Sequence, residues 1–217
     1  MAKYGVVFSG GLDSVVLLYD LVAKHGADEV VAIGIDFGQQ EVNEDERGLS
    51  FANNIIERDL IQKVPAKLGV KVHMVDLSSL GFVLEFMQER IAKHGKRING
   101  KSLSLFPGRN FILAFIAGCV AETYGCEEVC MGFPNTDYAV LENGETLGSY
   151  TSSRLFLNEL NKLVDKSADM TVKFTTPLNH LSKAGEIRLG KHLGVDFKED
   201  VWTCLHPKSA VDDKGDY

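Results

Sequence analysis

The sequence has no long hydrophobic run. Its longest strongly apolar stretch, FILAFIAGCVA from Phe111 to Ala121, is about half of the ~20 residues a membrane-spanning helix needs. The opening MAKYGVVFSGG passes from one Lys through a short apolar run into glycines, without the extended apolar segment and small-residue cleavage site of a secretory signal. A soluble, cytoplasmic protein with no membrane partner is expected. Cysteine is scarce: four residues make no disulfide framework in a chain of this size. Cys119, Cys126 and Cys130 lie in apolar segments, where free Cys packs as a small hydrophobe. Positive charge is in deficit, 23 Lys and Arg against 30 Asp and Glu for a formal −7. A nucleic-acid backbone would be repelled unless a local basic patch overrode that total. Internal repeats and low-complexity linkers are also missing. With 217 residues and 45% hydrophobic composition, the chain is expected to form one domain over 1–217 around one well-buried core. Its acidic tail, 205–217, is expected to be solvated and either mobile or cut short.

What is present is an alternation of short apolar runs with helical patterns, the signal of parallel strands joined by crossover helices. Strands are predicted at Lys3–Phe8, Glu29–Phe37, Lys71–Leu77, Glu127–Phe133 and Thr171–Leu178. The first helix follows at once over SVVLLYDLVAKHG, where Val15, Leu18 and Val22 recur at helical spacing. Between the second and third strands, Asn43–Gly69 carries a broken apolar stripe of Leu49, Ala52, Ile56, Leu60 and Val64, which predicts one long helix or two. Further helices are predicted at Val83–His94, Asn110–Tyr124, Ser152–Lys166 and Ser182–His192. The fold class is therefore α/β, a doubly wound, five-stranded, mainly parallel sheet with flanking helices. Ligands bind such sheets beyond the carboxyl ends of the strands. SGGLDS, DFGQQ and GFPNTDY, which follow strands one, two and four, would converge there.

In Ser9-Gly10-Gly11-Leu12-Asp13-Ser14 the glycines leave backbone amides unshielded while the next helix aims its N-terminus at the same spot. A pyrophosphate-sized anion would gain hydrogen bonds from both. Ser9 and Ser14 add hydroxyls, and Asp13 is placed either to cap the helix or to hold Mg2+ bridging phosphate oxygens. A plain strand-to-helix turn would explain Gly-Gly and one cap but not the whole hexapeptide. No Lys follows the glycines, so this is not a Walker loop. SGGLDS after a first parallel strand resembles the PP-loop of the N-type ATP pyrophosphatases, an adenine nucleotide alpha hydrolase-like, Rossmann-like superfamily. Its members cleave ATP between the α- and β-phosphates to activate a carbon for attack by nitrogen or sulfur.

The remaining strings narrow the resemblance. DFGQQ (Asp36–Gln40), FPGRN (Phe106–Asn110), GFPNTDY (Gly132–Tyr138), YTSSR (Tyr150–Arg154), TTPLNHLSKAGEIRLG (Thr175–Gly190) and WTC (Trp202–Cys204) stand in the order found in the 7-cyano-7-deazaguanine synthase family. The resemblance implies an ATP-dependent ligase that takes 7-carboxy-7-deazaguanine and ammonia through an adenylated carboxylate and an amide to the nitrile, and it implies a homodimer. It implies nucleotide contacts at Phe8, Ser9, Gly10, Gly11, Leu12, Asp13, Ser14, Asp36, Gln39 and Gly132, and substrate contacts at Asn110, Asp137, Tyr150 and Arg154; the Asp137 carboxylate fits either the amino and ring N–H edge of the base or a second metal-linked phosphate.

Ser9, Asp13, Ser14, Arg109 and Lys183 are the expected catalytic set. Arg109 and Lys183 would neutralise charge developing on pyrophosphate. Arg109 follows Pro107-Gly108 at a helix start, where its fork could clamp phosphate oxygens. Lys183 sits in a first helical turn, where a cation opposes the helix dipole and so lacks a helix-stabilising role. For each, the bland alternative is a surface salt bridge. Asp36 would meet the ribose or else form a turn ahead of Gly38.

The sequence departs from the family pattern in several places. Gln40 and Glu41 stand where the family has a basic residue and a His. The segment Asn43–Gly69 is longer than expected, and YTSSR keeps only Tyr150 and Arg154 of the family's Tyr-Pro-Asp-Cys-Arg. The family's structural zinc uses four cysteines, the first in a string like Thr203-Cys204. No Cys follows to Tyr217, and Cys204 with His206 does not make a tetrahedral site. Either the chain continues beyond this sequence or the metal is lost, and the spacer-like LHPKSAVDDKGDY favours the first. The altered loops keep a second reading open, a relative that stops at the amide or couples the adenylated deazaguanine to a protein or nucleic acid. A third, a non-catalytic nucleotide-binding module, has no use for the pyrophosphate-neutralising cations.

Overall fold

The protein is described by a computed structural model covering residues 2–37, 53–94, 97–98, 101–102, 108–134, 138–140, 146–148, 150–167 and 169–202. All five predicted strands are present as β1 (Tyr4–Val7), β2 (Val30–Asp36), β3 (Lys71–Asp76), β6 (Glu128–Cys130) and β9 (Lys173–Thr175). They form one sheet in the order β3-β2-β1-β6-β9 with every pairing parallel. The chain moves outward from β1 to β3 on one side, then returns to place β6 on the other side of β1. The strand order therefore reverses between β1 and β6, the position beyond whose carboxyl ends sheets of this kind bind ligands.

Period-two alternation divides the core between the two faces of the sheet. Val6, Ala32 and Cys130 pack with Val15, Leu18, Leu60 and Val64 from α1 (Leu12–His25) and α2 (Asn53–Lys67), and with Leu178 and Val195 around α6 (Lys183–His192). Val31, Ile33, Val129 and Met131 face the other way, against Ala114, Ala117 and Ala121 of α4 (Arg109–Tyr124) and Phe156 and Leu157 of α5 (Arg154–Val164). Burial on both faces is why β2 reads as the unbroken run VVAIGID, with Val31 and Ile33 fully buried. The last helix of the set, α3 (Phe82–His94), reaches Phe37 through Val83 beside Ile112 and Leu113.

The helices fall where expected to within two residues, except that 43–52 lie outside the described residues and only α2 represents that segment. Pro65 is tolerated near the end of α2, where its carbonyl accepts from Leu68 and Val70 as Gly69 closes the helix at φ +70°. Two short antiparallel hairpins, β4 (Arg97–Ile98) with β5 (Lys101–Ser102) and β7 (Tyr138–Val140) with β8 (Thr146–Gly148), were not predicted.

The cysteine expectation needs one correction. Cys126 and Cys130 are buried, and burial pushes their thiols up to about 11 and about 12. Cys119 is exposed, because α4 turns Ala117, Gly118 and Ala121 toward the sheet and position 119 away from it.

Candidate functional site

Site geometry begins with the turn between β1 and α1. Gly10 adopts φ +78°, a left-handed conformation that a side chain would strain, and a Cβ there would stand 2.9 Å from Leu60 Cβ. Gly11 is the N-cap of α1 and has no side chain to offer the first-turn amides. Those amides are the end of the helix where an anion is favoured.

Ser14 shapes the turn from inside. Its hydroxyl donates to the Gly11 carbonyl at 3.0 Å, accepts from the Ser9 amide at 3.3 Å and lies 3.3 Å from Ser9 Oγ. The Gly11 amide in turn points at Ser9 Oγ, 3.4 Å away. The Phe8 side chain is 1% exposed and its amide bonds the Ile33 carbonyl, so only its carbonyl can serve a ligand. Leu12 likewise packs on the core.

Gly132 stands at the β6 exit, against the same turn. A Cβ there would meet Asp13 C at 3.0 Å and Ser14 N at 3.1 Å, so the β6 exit touches the backbone of the α1 first turn. The β9 exit braces it: Thr176 Oγ1 and Asn179 Nδ2 both donate to the Phe133 carbonyl, at 2.9 and 3.1 Å. That same connection leads into α6, capped by Ser182. Lys183, the first residue of α6, extends its ammonium to Asp13 Oδ1 at 2.5 Å. The pair is partly solvated, with side-chain exposures of 44% and 23%, and such pairs contribute only ~0.2–1 kcal/mol to stability. The surface-pair reading and the phosphate reading of Lys183 thus meet in one contact, whose partner belongs to the anion loop.

The expected substrate residues form a second group. α4 and α5 each run back into a parallel strand, so their N-termini lie at the carboxyl edge of the sheet. Asn110 Nδ2 donates to Ser152 Oγ at 2.9 Å and Thr151 Oγ1 at 3.3 Å, joining the start of α4 to the turn before α5. Ser153 caps α5, accepting from Phe156 N at 3.2 Å and donating to the Tyr150 carbonyl at 2.6 Å. Tyr150 and Arg154 are exposed beside this cap. Arg109 is exposed at the first position of α4, close enough to oppose the rise that burial causes in the Glu57 pKa. Gln39, Asp137, Cys204 and the tail 205–217 lie outside the described residues.

Some site residues escaped the sequence. Arg58 of α2 pairs with Asp36, which is 8% exposed at the end of β2. No pattern in its segment marked it. Trp202 was noted only within WTC, yet its amide donates to the Gly10 carbonyl at 3.0 Å. Among the described residues no group of three or more His, Cys, Asp or Glu could hold a metal ion, and no helix is long and apolar enough to cross a membrane. Mg2+ is a different case, since it is commonly held by one carboxylate together with substrate phosphates, and Asp13 fits that need.

Comparison with known proteins bears on this geometry. The family model described as Queuosine biosynthesis protein QueC matches residues 3–215. A 7-cyano-7-deazaguanine synthase from Pyrococcus horikoshii is 30% identical over 220 residues, covering 97% of this chain and 84% of that protein. Among solved structures, the U34-tRNA thiolase NcsA from Methanococcus maripaludis with its [4Fe-4S] cluster aligns with a TM-score of 0.51 at 15% identity. That match covers 98% of this chain and 65% of the thiolase, so the chain spans just under two thirds of that relative. A predicted subunit of tRNA methyltransferase from Methanocaldococcus jannaschii aligns at 0.50 and 16% identity over 88% of this chain and 75% of that one. At such identities the two structures support the α/β fold alone.

Proposed function

Because the chain belongs to the QueC family of queuosine biosynthesis proteins, we propose that it is a 7-cyano-7-deazaguanine synthase, joining ammonia to 7-carboxy-7-deazaguanine at the expense of ATP. Family membership makes it an ATP-dependent enzyme of the PP-loop class. The finer reading is supported above all by one observation: the SGGLDS turn, the Gly132 exit and Lys183 meet at the point where the strand order reverses.

The chemistry asks for such a site. A carboxylate resists nucleophiles because its charge repels them and its oxygen leaves badly. On this reading a carboxylate oxygen attacks the α-phosphorus of ATP, pyrophosphate departs, and ammonia displaces AMP from the acyl carbon to give the amide. The amide oxygen then attacks the α-phosphorus of a second ATP, a second pyrophosphate departs, and loss of AMP and two protons leaves the nitrile. The protein's part is to position the groups and stabilise departing charge. The Gly10 and Gly11 turn and the first-turn amides of α1 receive the phosphates, Ser9 and Ser14 hold the turn in shape, and Lys183 with Arg109 offsets the charge on pyrophosphate. Mg2+, held by Asp13 and the phosphates, would supply further neutralisation when bound. Asp36 and Gln39 complete the nucleotide side, and Asn110, Asp137, Tyr150 and Arg154 the deazaguanine side. The protein acts in the cytoplasm as a homodimer.

The test is direct. Purified protein is incubated with Mg2+, ATP, ammonium and 7-carboxy-7-deazaguanine, and the products are identified by mass spectrometry. Nitrile, AMP and pyrophosphate are expected. ADP as the sole nucleotide product would refute the adenylation chemistry, and accumulation of amide alone would refute the nitrile step. Light scattering on the same preparation should give twice the 23.9 kDa chain mass.

A further inference from the structure

Asp200 is 1% exposed, and its carboxylate is shared among three parts of the chain. Oδ2 accepts from the Tyr19 hydroxyl of α1 at 2.7 Å, from the Lys67 ammonium at the end of α2 at 2.7 Å, and from the Asp196 amide at 3.2 Å. Oδ1 is also buried and has no hydrogen-bond partner among the described residues. Burial alone would raise this carboxyl's pKa, but the Lys67, Tyr19 and Asp196 bonds hold it below the usual value, so the group is ionised. Burying a charge is costly and gives little net stability compared with an apolar side chain of similar size. The arrangement therefore calls for a purpose other than holding a surface turn.

That purpose lies two residues further on. The Trp202 amide donates to the Gly10 carbonyl at 3.0 Å, and the Trp202 carbonyl lies 3.9 Å from where a Gly11 Cβ would stand. The Gly10 carbonyl and the Gly11 amide belong to one rigid trans peptide plane, on which they point in opposite directions. Fixing the carbonyl therefore fixes the amide. Gly10 and Gly11 are also the residues with the least side-chain constraint on that plane.

We propose that Asp200 is a positioning residue, anchoring 196–202 to α1 and α2 so that Trp202 sets the direction of the Gly10–Gly11 peptide in the anion loop. Its consequence for catalysis rests on the ATP reading above; its consequence for the loop does not.

Both are measured in one set of variants. Hydrogen exchange of a peptide spanning residues 8–14 is compared between the wild-type chain and D200A, with α5 as the internal reference. KM and kcat for ATP are read from AMP release, well below each variant's melting temperature. Exchange in 8–14 should quicken at least about tenfold with α5 unchanged, and KM for ATP should rise about tenfold while kcat changes less than about threefold, because phosphate contacts serve ground and transition states alike. Y19F, which removes one hydroxyl and leaves Lys67 in place, should shift both in the same direction by about threefold, and it decides the matter if D200A does not fold. Unchanged exchange in 8–14, exchange that quickens equally in α5, or an unchanged KM for ATP in folded variants overturns the proposal. A wild-type chain that releases no AMP defeats the ATP reading instead, and the exchange measurement then decides the loop claim alone.

Discussion

Lys183 shows how little a single residue's surroundings reveal until its partner is known. In sequence it is a cation in a first helical turn, against the helix dipole. In space its ammonium reaches back to Asp13 of the anion loop. Lys183→Ala and Asp13→Ala should each cut AMP release by about 100-fold or more. For Asp13→Ala the urea midpoint should stay near wild type, since a partly exposed pair contributes only ~0.2–1 kcal/mol. Wild-type turnover in either variant would remove that residue from the catalytic set. The thiols give an independent check. Burial has moved Cys126 to about 11 and Cys130 to about 12, whereas Cys119 is exposed, and the thiolate is the reactive form. Iodoacetamide at neutral pH should label Cys119 in the folded protein, and label Cys126 and Cys130 only after denaturation, as peptide mapping would report. These raised values also mean that the stability contributed by the two buried thiols is full below their unfolded value near 9 and is lost as pH climbs through 11 to 12.

Among elements, β9 is the most exposed to failure, a three-residue strand at the edge of the sheet. Its open side is closed by side chains acting as a neighbouring strand would. Asn161 of α5 donates to the Phe174 carbonyl and accepts from the Phe174 amide, both at 2.8 Å. Glu122 of α4 accepts from the amides of Thr171 and Val172. Asn161→Ala should lower unfolding free energy by about 1–3 kcal/mol in urea titration. A value near zero would show that water replaces the amide without loss. The Thr171 amide lowers the Glu122 pKa from its ordinary 4.5. That contribution is therefore present above 4.5 and disappears as pH falls through the depressed folded value, and Glu122→Gln should flatten this part of the acid-unfolding curve.

At the scale of the molecule, the decisive feature is the reversal of strand order between β1 and β6, which brings Gly132 against Asp13 and Ser14. Gly132→Val would drive a branched side chain into backbone that cannot give way, and should raise the KM for ATP about tenfold or more while circular dichroism retains the α/β signature. The apolar runs made all five parallel strands readable, most plainly β2, which is buried on both faces and keeps few polar residues. The hairpins β4–β5 and β7–β8 were not readable, since their two- and three-residue strands lack the longer surrounding stretch, EEVCMGF around β6 or TVKFTTPL around β9, that carried the signal for those equally short strands. Strand order was equally silent, as pairing partners leave no local mark. The SGGLDS turn could be read because its residues are consecutive. The Arg58 pair with Asp36 and the Trp202 bond to Gly10 could not, being contacts between distant segments.

The Trp202 bond to Gly10 has a bearing on how the protein is made. The glycine turn is translated between β1 and α1, but the amide that holds its carbonyl follows only after β9 and α6. A nascent chain on the ribosome can assemble much of its sheet while this turn still lacks its final hydrogen bond. The turn is then complete only after every strand of the sheet has been made.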